Sequence, residues 1–163
     1  SLPSINSAGC GTPIHFAACK TFGSMMSLSK TILITEGALK ADVVNRLRTD
    51  FFAVATGGVG CAHELLVNVS RGKPVCLAFD GDSRENPAVT RQLAKLVKLR
   101  FQNSENQAET KILVWDESYK GVDDALLKGA NLREITFLEW LSTLDEKCLE
   151  EVRKIWQERA QIN

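Results

Sequence analysis

Several things are missing from this chain of 163 residues, and each absence excludes a class. It has no run of 18 apolar residues, so no transmembrane helix is expected. The start, Ser1-Leu2-Pro3-Ser4, lacks a charged segment ahead of an apolar one and does not read as a signal peptide. There is no initiator Met, which reads as a piece cut from a longer protein with further domains. No CxxC pair occurs among the five cysteines Cys10, Cys19, Cys61, Cys76 and Cys148. Their odd number and lack of pattern suggest free thiols in a reducing, cytoplasmic setting. A zinc site from Cys10, His15, Cys19, Cys61 and His63 would match no defensible finger or ribbon spacing.

Excess charge is missing too. Lys and Arg total 20, as do Asp and Glu, so a purely electrostatic nucleic-acid binder is excluded. The balance is uneven along the chain, however. Residues 1–100 carry 12 basic and 7 acidic side chains, and residues 101–163 carry 8 and 13. That is the charge asymmetry expected of a basic, phosphate-facing region joined to an acidic back. With 44% hydrophobic and 25% charged residues, disorder and fibrous repeats are excluded.

What is present is rhythm. Residues 1–30 read as a loop-rich arm with one short strand near Ile14–Ala18. Thr31–Thr35, Phe51–Ala55, Pro74–Phe79 and Lys111–Trp115 are short apolar or β-branched runs, expected to be buried strands. Helical spacing separates them. Residues 38–48 place Leu39, Val43, Val44 and Leu47 on one face, and Ala62–Val69 is a short helix. Asn86-Pro87 reads as an N-cap followed by proline at N1. The helix it opens carries Leu93, Leu96, Val97 and Phe101 inward and Arg91, Lys95 and Lys98 outward. Further helices are expected over Val122–Lys128, Ile135–Leu144 and Asp145–Arg159, the last with Leu149, Val152 and Trp156 on one stripe.

Strand–helix alternation predicts an α/β, doubly wound, Rossmann-like domain with a four-stranded parallel sheet. The expected organisation is an arm over 1–30, this domain over 31–130 and a helical extension over 131–163. Ligands of such sheets bind beyond the carboxyl ends of the strands. There the sequence places Glu36, then Gly57, Gly58 and Gly60, then Asp80 and Asp82, then Lys120, Asp123 and Asp124. Clustered carboxylates repel unless a cation lies among them, and oxygen-only ligands suit Mg²⁺ or Mn²⁺. The glycine loop has no following Lys-Ser/Thr and is not a Walker A; its role would be backbone contact with phosphate. Arg84, Arg91, Lys95, Lys98 and Arg100, with Lys120, are the candidates for tracking a phosphodiester backbone. No aromatic residues interleave with the basic run after Asp82, so base stacking is not indicated there.

The segments ILITEG, LAFDGD and KGVDDAL, each followed by or opening a helix, resemble the Toprim domain of primases, topoisomerases and some nucleases. With TEGALKAD, and GTPIHFA upstream, the chain is similar in particular to a Toprim-related domain of unassigned function. That domain occurs in replication proteins of plasmids, phages and cyanobacteria. The resemblance spans about residues 10–130. It implies a Mg²⁺-dependent nucleotidyltransferase or nuclease within a larger DNA replication protein. Its partners would be a DNA or RNA backbone, nucleotides, and helicase- or polymerase-like domains of the parent, with no membrane. It also implies that Glu36 is the general acid/base, that Asp80 and Asp82 are metal ligands, and that Asp123 and Asp124 close the acidic motif. One departure stands out: Lys40 occupies a position that is often acidic in primase-type members. Lys40 lies one helical turn from Glu36, where it would contact phosphate or neutralise a carboxylate. The departure keeps open a non-catalytic nucleotide- or nucleic-acid-binding module. AFDGD also resembles the opening of a HAD-type phosphatase, in which Asp80 would be the nucleophile and Glu36 idle.

Overall fold

The computed structural model describes residues 14–16, 31–60, 62–103 and 109–158. In chain order the elements are β1 (His15–Phe16), β2 (Thr31–Glu36), α1 (Ala38–Leu47), β3 (Phe51–Thr56), α2 (His63–Val69) and β4 (Val75–Leu77). A 3₁₀ turn (Gly81–Arg84) follows, then α3 (Pro87–Gln102), β5 (Thr110–Val114), α4 (Val122–Leu127), β6 (Arg133–Thr136), α5 (Phe137–Leu141) and α6 (Glu146–Gln157). None of the described helices is long and apolar enough to cross a membrane.

The sheet runs β1-β3-β2-β4-β5-β6. The four inner strands are parallel, as the alternation predicts. The expected count of four is corrected to six, because β1 and β6 add antiparallel strands at the two edges. Alternate residues of each strand feed separate cores. Ile32, Ile34, Phe52, Val54, Val75 and Leu77 pack with α2, α3 and α6, while Leu33, Phe51, Ala53, Ala55 and Cys76 pack with α1 and α4. Both faces are therefore covered, which is why the strands read as unbroken apolar runs.

Four local expectations are corrected. β6 lies where a helix over Ile135–Leu144 was expected. The Thr136 side chain accepts from Glu139 N, and Glu139 reaches back to Thr136 N, a capping box that starts the helix at Phe137. Arg133–Thr136 is thereby left to pair with β5. In α1, Leu39 is 72% exposed, and Ala41, Val44 and Asn45 are buried instead. Asn45 earns its place by bonding both the N–H and the carbonyl of Ala53 at 2.9 Å, giving β3 a partner below the two-residue β1. Phe101, expected inward, is 78% exposed and meets Trp156 edge-on at 6.0 Å. On α6 the buried stripe is Cys148, Val152 and Ile155, with Trp156 at its margin.

Candidate functional site

The strand order reverses between β2 and β4. From β2 the chain winds outward through α1 to β3, and from β4 it winds the other way through α3 to β5. This switch point leaves a crevice beyond the carboxyl ends of the two strands. Glu36 ends β2, and Asp80 follows β4 by three residues. β4 is kept in register past its last ladder residue by Ala78 N donating to Ile34 O at 2.8 Å, and by Thr35 Oγ1 donating to Ala78 O at 2.9 Å.

Only Gly37 separates β2 from α1. Its φ of 88° lies in the left-handed region that glycine tolerates, and its N–H donates to Thr56 O. The sharp turn puts Lys40 one turn beyond Glu36, on the crevice side. Lys40 Nζ donates to Asp80 Oδ1 at 2.5 Å. Asp80 N donates to Glu36 Oε1 at 3.4 Å. Asp82 sits in the 3₁₀ turn, where its carbonyl accepts from Glu85 N and Asn86 N. Gly81, between the two aspartates, has no positive φ, and a Cβ there would meet nothing closer than 3.7 Å.

The loop from β5 to α4 closes the crevice. Gly81 N donates to Lys120 O at 2.9 Å. Gly121 is the glycine that the site demands, for want of space rather than for conformation. A Cβ on it would lie 2.5 Å from Asp123 Oδ1, 3.0 Å from Lys40 Cε and 3.4 Å from Asp80 Oδ1. Gly121 was not singled out in the sequence, although it stands inside KGVDDAL; a glycine between a strand-end loop and an acidic helix start was the available signal. Asp123 thus joins Lys40 and Asp80, while Asp124 is exposed on the first turn of α4.

The carboxylates sense one another. Burial raises the Glu36 pKa above the ordinary 4.5, and the negative charges of Asp80 and then Asp82 add to it. The Asp80 N–H and the Lys40 ammonium work in the opposite direction. Among the described residues, no group of three or more His, Cys, Asp or Glu side chains is placed to hold a metal ion.

Other candidates lie apart from this cluster. Gly57, Gly58 and Gly60 follow β3, next to the crevice through the Gly37–Thr56 bond, and Thr56 Oγ1 closes their loop onto Gly58 O. None has a positive φ, and α2 beyond them is seven residues long with no side-chain cap. Arg84 reaches Glu117 at 3.2 Å. Arg91 pairs with Glu151 and Glu158, and Lys98 Nζ donates to the carbonyls of Ile155 and Glu158. Two of the three outward basic residues of α3 therefore hold α6. Lys95 lies close enough to His63 to reinforce, after burial, the lowering of its pKa. Arg100, expected to face a phosphodiester backbone, is instead buried, with its guanidinium on Thr110, Ser70 and Lys73 acceptors. The zinc alternative gains nothing: His15 bonds Asp42, His63 bonds Val59 O, and Cys10, Cys19 and Cys61 lie outside the described residues.

Residues 24–132 match the family model described as a domain of unknown function, DUF3854. No curated protein and no solved structure matches the chain.

Proposed function

The chain belongs to the DUF3854 family, and for this member we propose a Toprim-type, Mg²⁺-dependent phosphoryl-transfer site acting on nucleic acid or nucleotides. The observation that carries the reading is the convergence of Glu36, Lys40, Asp80 and Asp123 at the switch point of a mostly parallel sheet. The setting in a DNA replication protein rests on the resemblance of the motifs.

The donor set suits a hard cation. It is all oxygen, and the Glu36 pKa, raised first by burial, is pushed further up by the negative charges of Asp80 and Asp82, the charges a bound cation would neutralise. Mg²⁺ needs one or two carboxylates, with water and substrate oxygens for the rest, so a cluster of three ligands is not required. Asp80 and Asp82 would hold it. When bound, it supplies charge neutralisation at the non-bridging phosphate oxygens.

The chain's own groups do the remainder. Glu36 takes the proton from a hydroxyl or water as that oxygen bonds to phosphorus and the leaving oxygen departs. A carboxylate with a raised pKa is a stronger base for this task. Lys40 fixes the Asp80 carboxylate and brings positive charge to the phosphate side of the crevice. Lys120, exposed on the closing loop, adds a second cation.

A second reading is favoured by one contact. The Lys40 ammonium already occupies Asp80 Oδ1, where a cation would otherwise bind, and this suits a module that binds phosphate without turnover. The test is Mg²⁺-dependent conversion of nucleoside triphosphates or single-stranded DNA. The first reading expects turnover that is lost in both Glu36→Gln and Asp80→Asn. Tight binding with no turnover in the wild-type chain supports the second.

A further inference from the structure

Beside the crevice, between the 3₁₀ turn and the loop from β5 to α4, lies a pocket of about 270 Å³. Its walls include Phe79, Ile112, Trp115 and Trp140, and its polar rim includes Asp82, Arg84 and Lys120. Trp140 is wholly buried, stacks on Phe137 at 5.7 Å, and has an indole N–H with no hydrogen-bond partner. That nitrogen is the one buried side-chain polar atom among the described residues left in this state. A buried donor without an acceptor is costly and rare in native proteins, and calls for a ligand, water or ion to satisfy it.

The loop is built before any ligand arrives. Trp115 Nε1 donates to Tyr119 O at 2.8 Å, and Asp116 Oδ1 accepts from Ser118 N at 2.9 Å. These bonds hold the Trp115 ring against the pocket. Arg84 and Glu117 join the two sides by an ion pair whose glutamate is largely exposed, a contact weak enough to part. On both flanking segments the pocket starts within two residues of the phosphate site. Asp82 follows Asp80, and Lys120 precedes Gly121, on which a Cβ would run into Lys40 and meet Asp80.

We propose that this pocket binds the heterocyclic base of a nucleotide whose phosphates lie at the Glu36–Lys40–Asp80 crevice. The inference rests on the phosphate-site reading above. A base is flat and apolar on its faces, which suits aromatic walls, and its edge carries ring nitrogens and carbonyl oxygens that accept from Trp140 Nε1 once the ligand displaces the wall covering that nitrogen. The volume accommodates one nucleoside, not a stacked pair, so the substrate class is a single nucleotide or a strand terminus rather than a duplex.

The experiment follows the indole N–H resonances of the ¹⁵N-labelled chain, assigned with Trp140→Phe. Four nucleosides, tripolyphosphate and nucleoside triphosphates are titrated separately. Nucleosides are expected to move the Trp140 resonance and leave that of Trp156 in place. The triphosphate is expected to bind at least about tenfold tighter than its nucleoside. Trp140→Phe loses the donor together with the five-membered ring of the indole, so nucleoside affinity falls at least about fivefold while tripolyphosphate affinity is unchanged. Ser118→Trp, a change at an exposed lining residue, blocks nucleosides without touching the core. If tripolyphosphate binds but no nucleoside moves Trp140, the pocket proposal is overturned and the phosphate site stands. If nucleosides move Trp140 and tripolyphosphate does not bind, the pocket stands and the phosphate site falls.

Discussion

Lys40 Nζ lies 2.5 Å from Asp80 Oδ1, with side chains 21% and 11% exposed. The pair joins the first turn of α1 to the segment after β4, across the switch point of the sheet. It is both a clasp between two crossovers and the only ammonium bonded to the carboxylates of the rim among the described residues. Removing either partner leaves a charge in a crowded, partly dry place.

Lys40→Met is therefore expected to lower stability at pH 7 by about 1–3 kcal/mol, read from urea unfolding. Lys40→Met combined with Asp80→Asn should recover part of that loss, because the stranded carboxylate is gone. A fully additive pair of losses would mean that the contact has no energetic coupling.

Gly121→Ala separates site geometry from stability. The new Cβ meets the ends of Asp123 and Lys40, which can move aside, so unfolding should change by about 1 kcal/mol or less. Phosphate or nucleotide affinity should fall by about tenfold, because moving aside displaces the two side chains from the crevice. Calorimetry alongside a melting curve distinguishes the effects.

Glu36 carries a pH signature. Its pKa is raised in the folded protein, so the native state holds the proton more tightly than the unfolded chain. Stability from this group is greatest below the unfolded value near 4.5 and declines as pH rises through the folded value. Glu36→Gln should accordingly raise the urea midpoint at pH 7, with the gain shrinking to nothing towards pH 4. A variant less stable than wild type at pH 7 would contradict the assigned cause.

The basic face of α3 should behave as a structural seam. Arg91→Ala with Lys98→Ala removes the ties to Glu151, Glu158 and the last carbonyls of α6. A stability loss of about 1 kcal/mol is expected. The salt dependence of nucleotide or nucleic-acid binding should be unchanged, whereas Lys120→Ala should flatten it. If the α3 variants flatten it instead, that face contacts phosphate after all.

The four parallel strands and the rim positions of Glu36 and Asp80 were legible because buried β-branched runs and the strand-end rule need only local patterns. Other features depend on which surfaces meet. Arg91 and Lys98 look like a solvated face until α6 is laid across them. Asn45 is polar, and its burial makes sense only beside the free backbone of Ala53. The short β6, Arg133–Thr136, is half charged and runs straight into the apolar stretch from Ile135 that reads as helix, though Thr136 and Glu139 carry the capping signal that separates strand from helix. The pocket joins Phe79, Trp115 and Trp140 from three distant segments, and its unpaired indole N–H has no trace in one dimension.

The most direct test of the phosphate-transfer site is a Mn²⁺ titration of the whole chain followed by electron paramagnetic resonance. One bound ion is predicted, with its affinity reduced at least about tenfold in both Asp80→Asn and Asp82→Asn. Absence of bound Mn²⁺, or binding that survives both substitutions unchanged, would contradict the metal-dependent site at Glu36, Asp80 and Asp82.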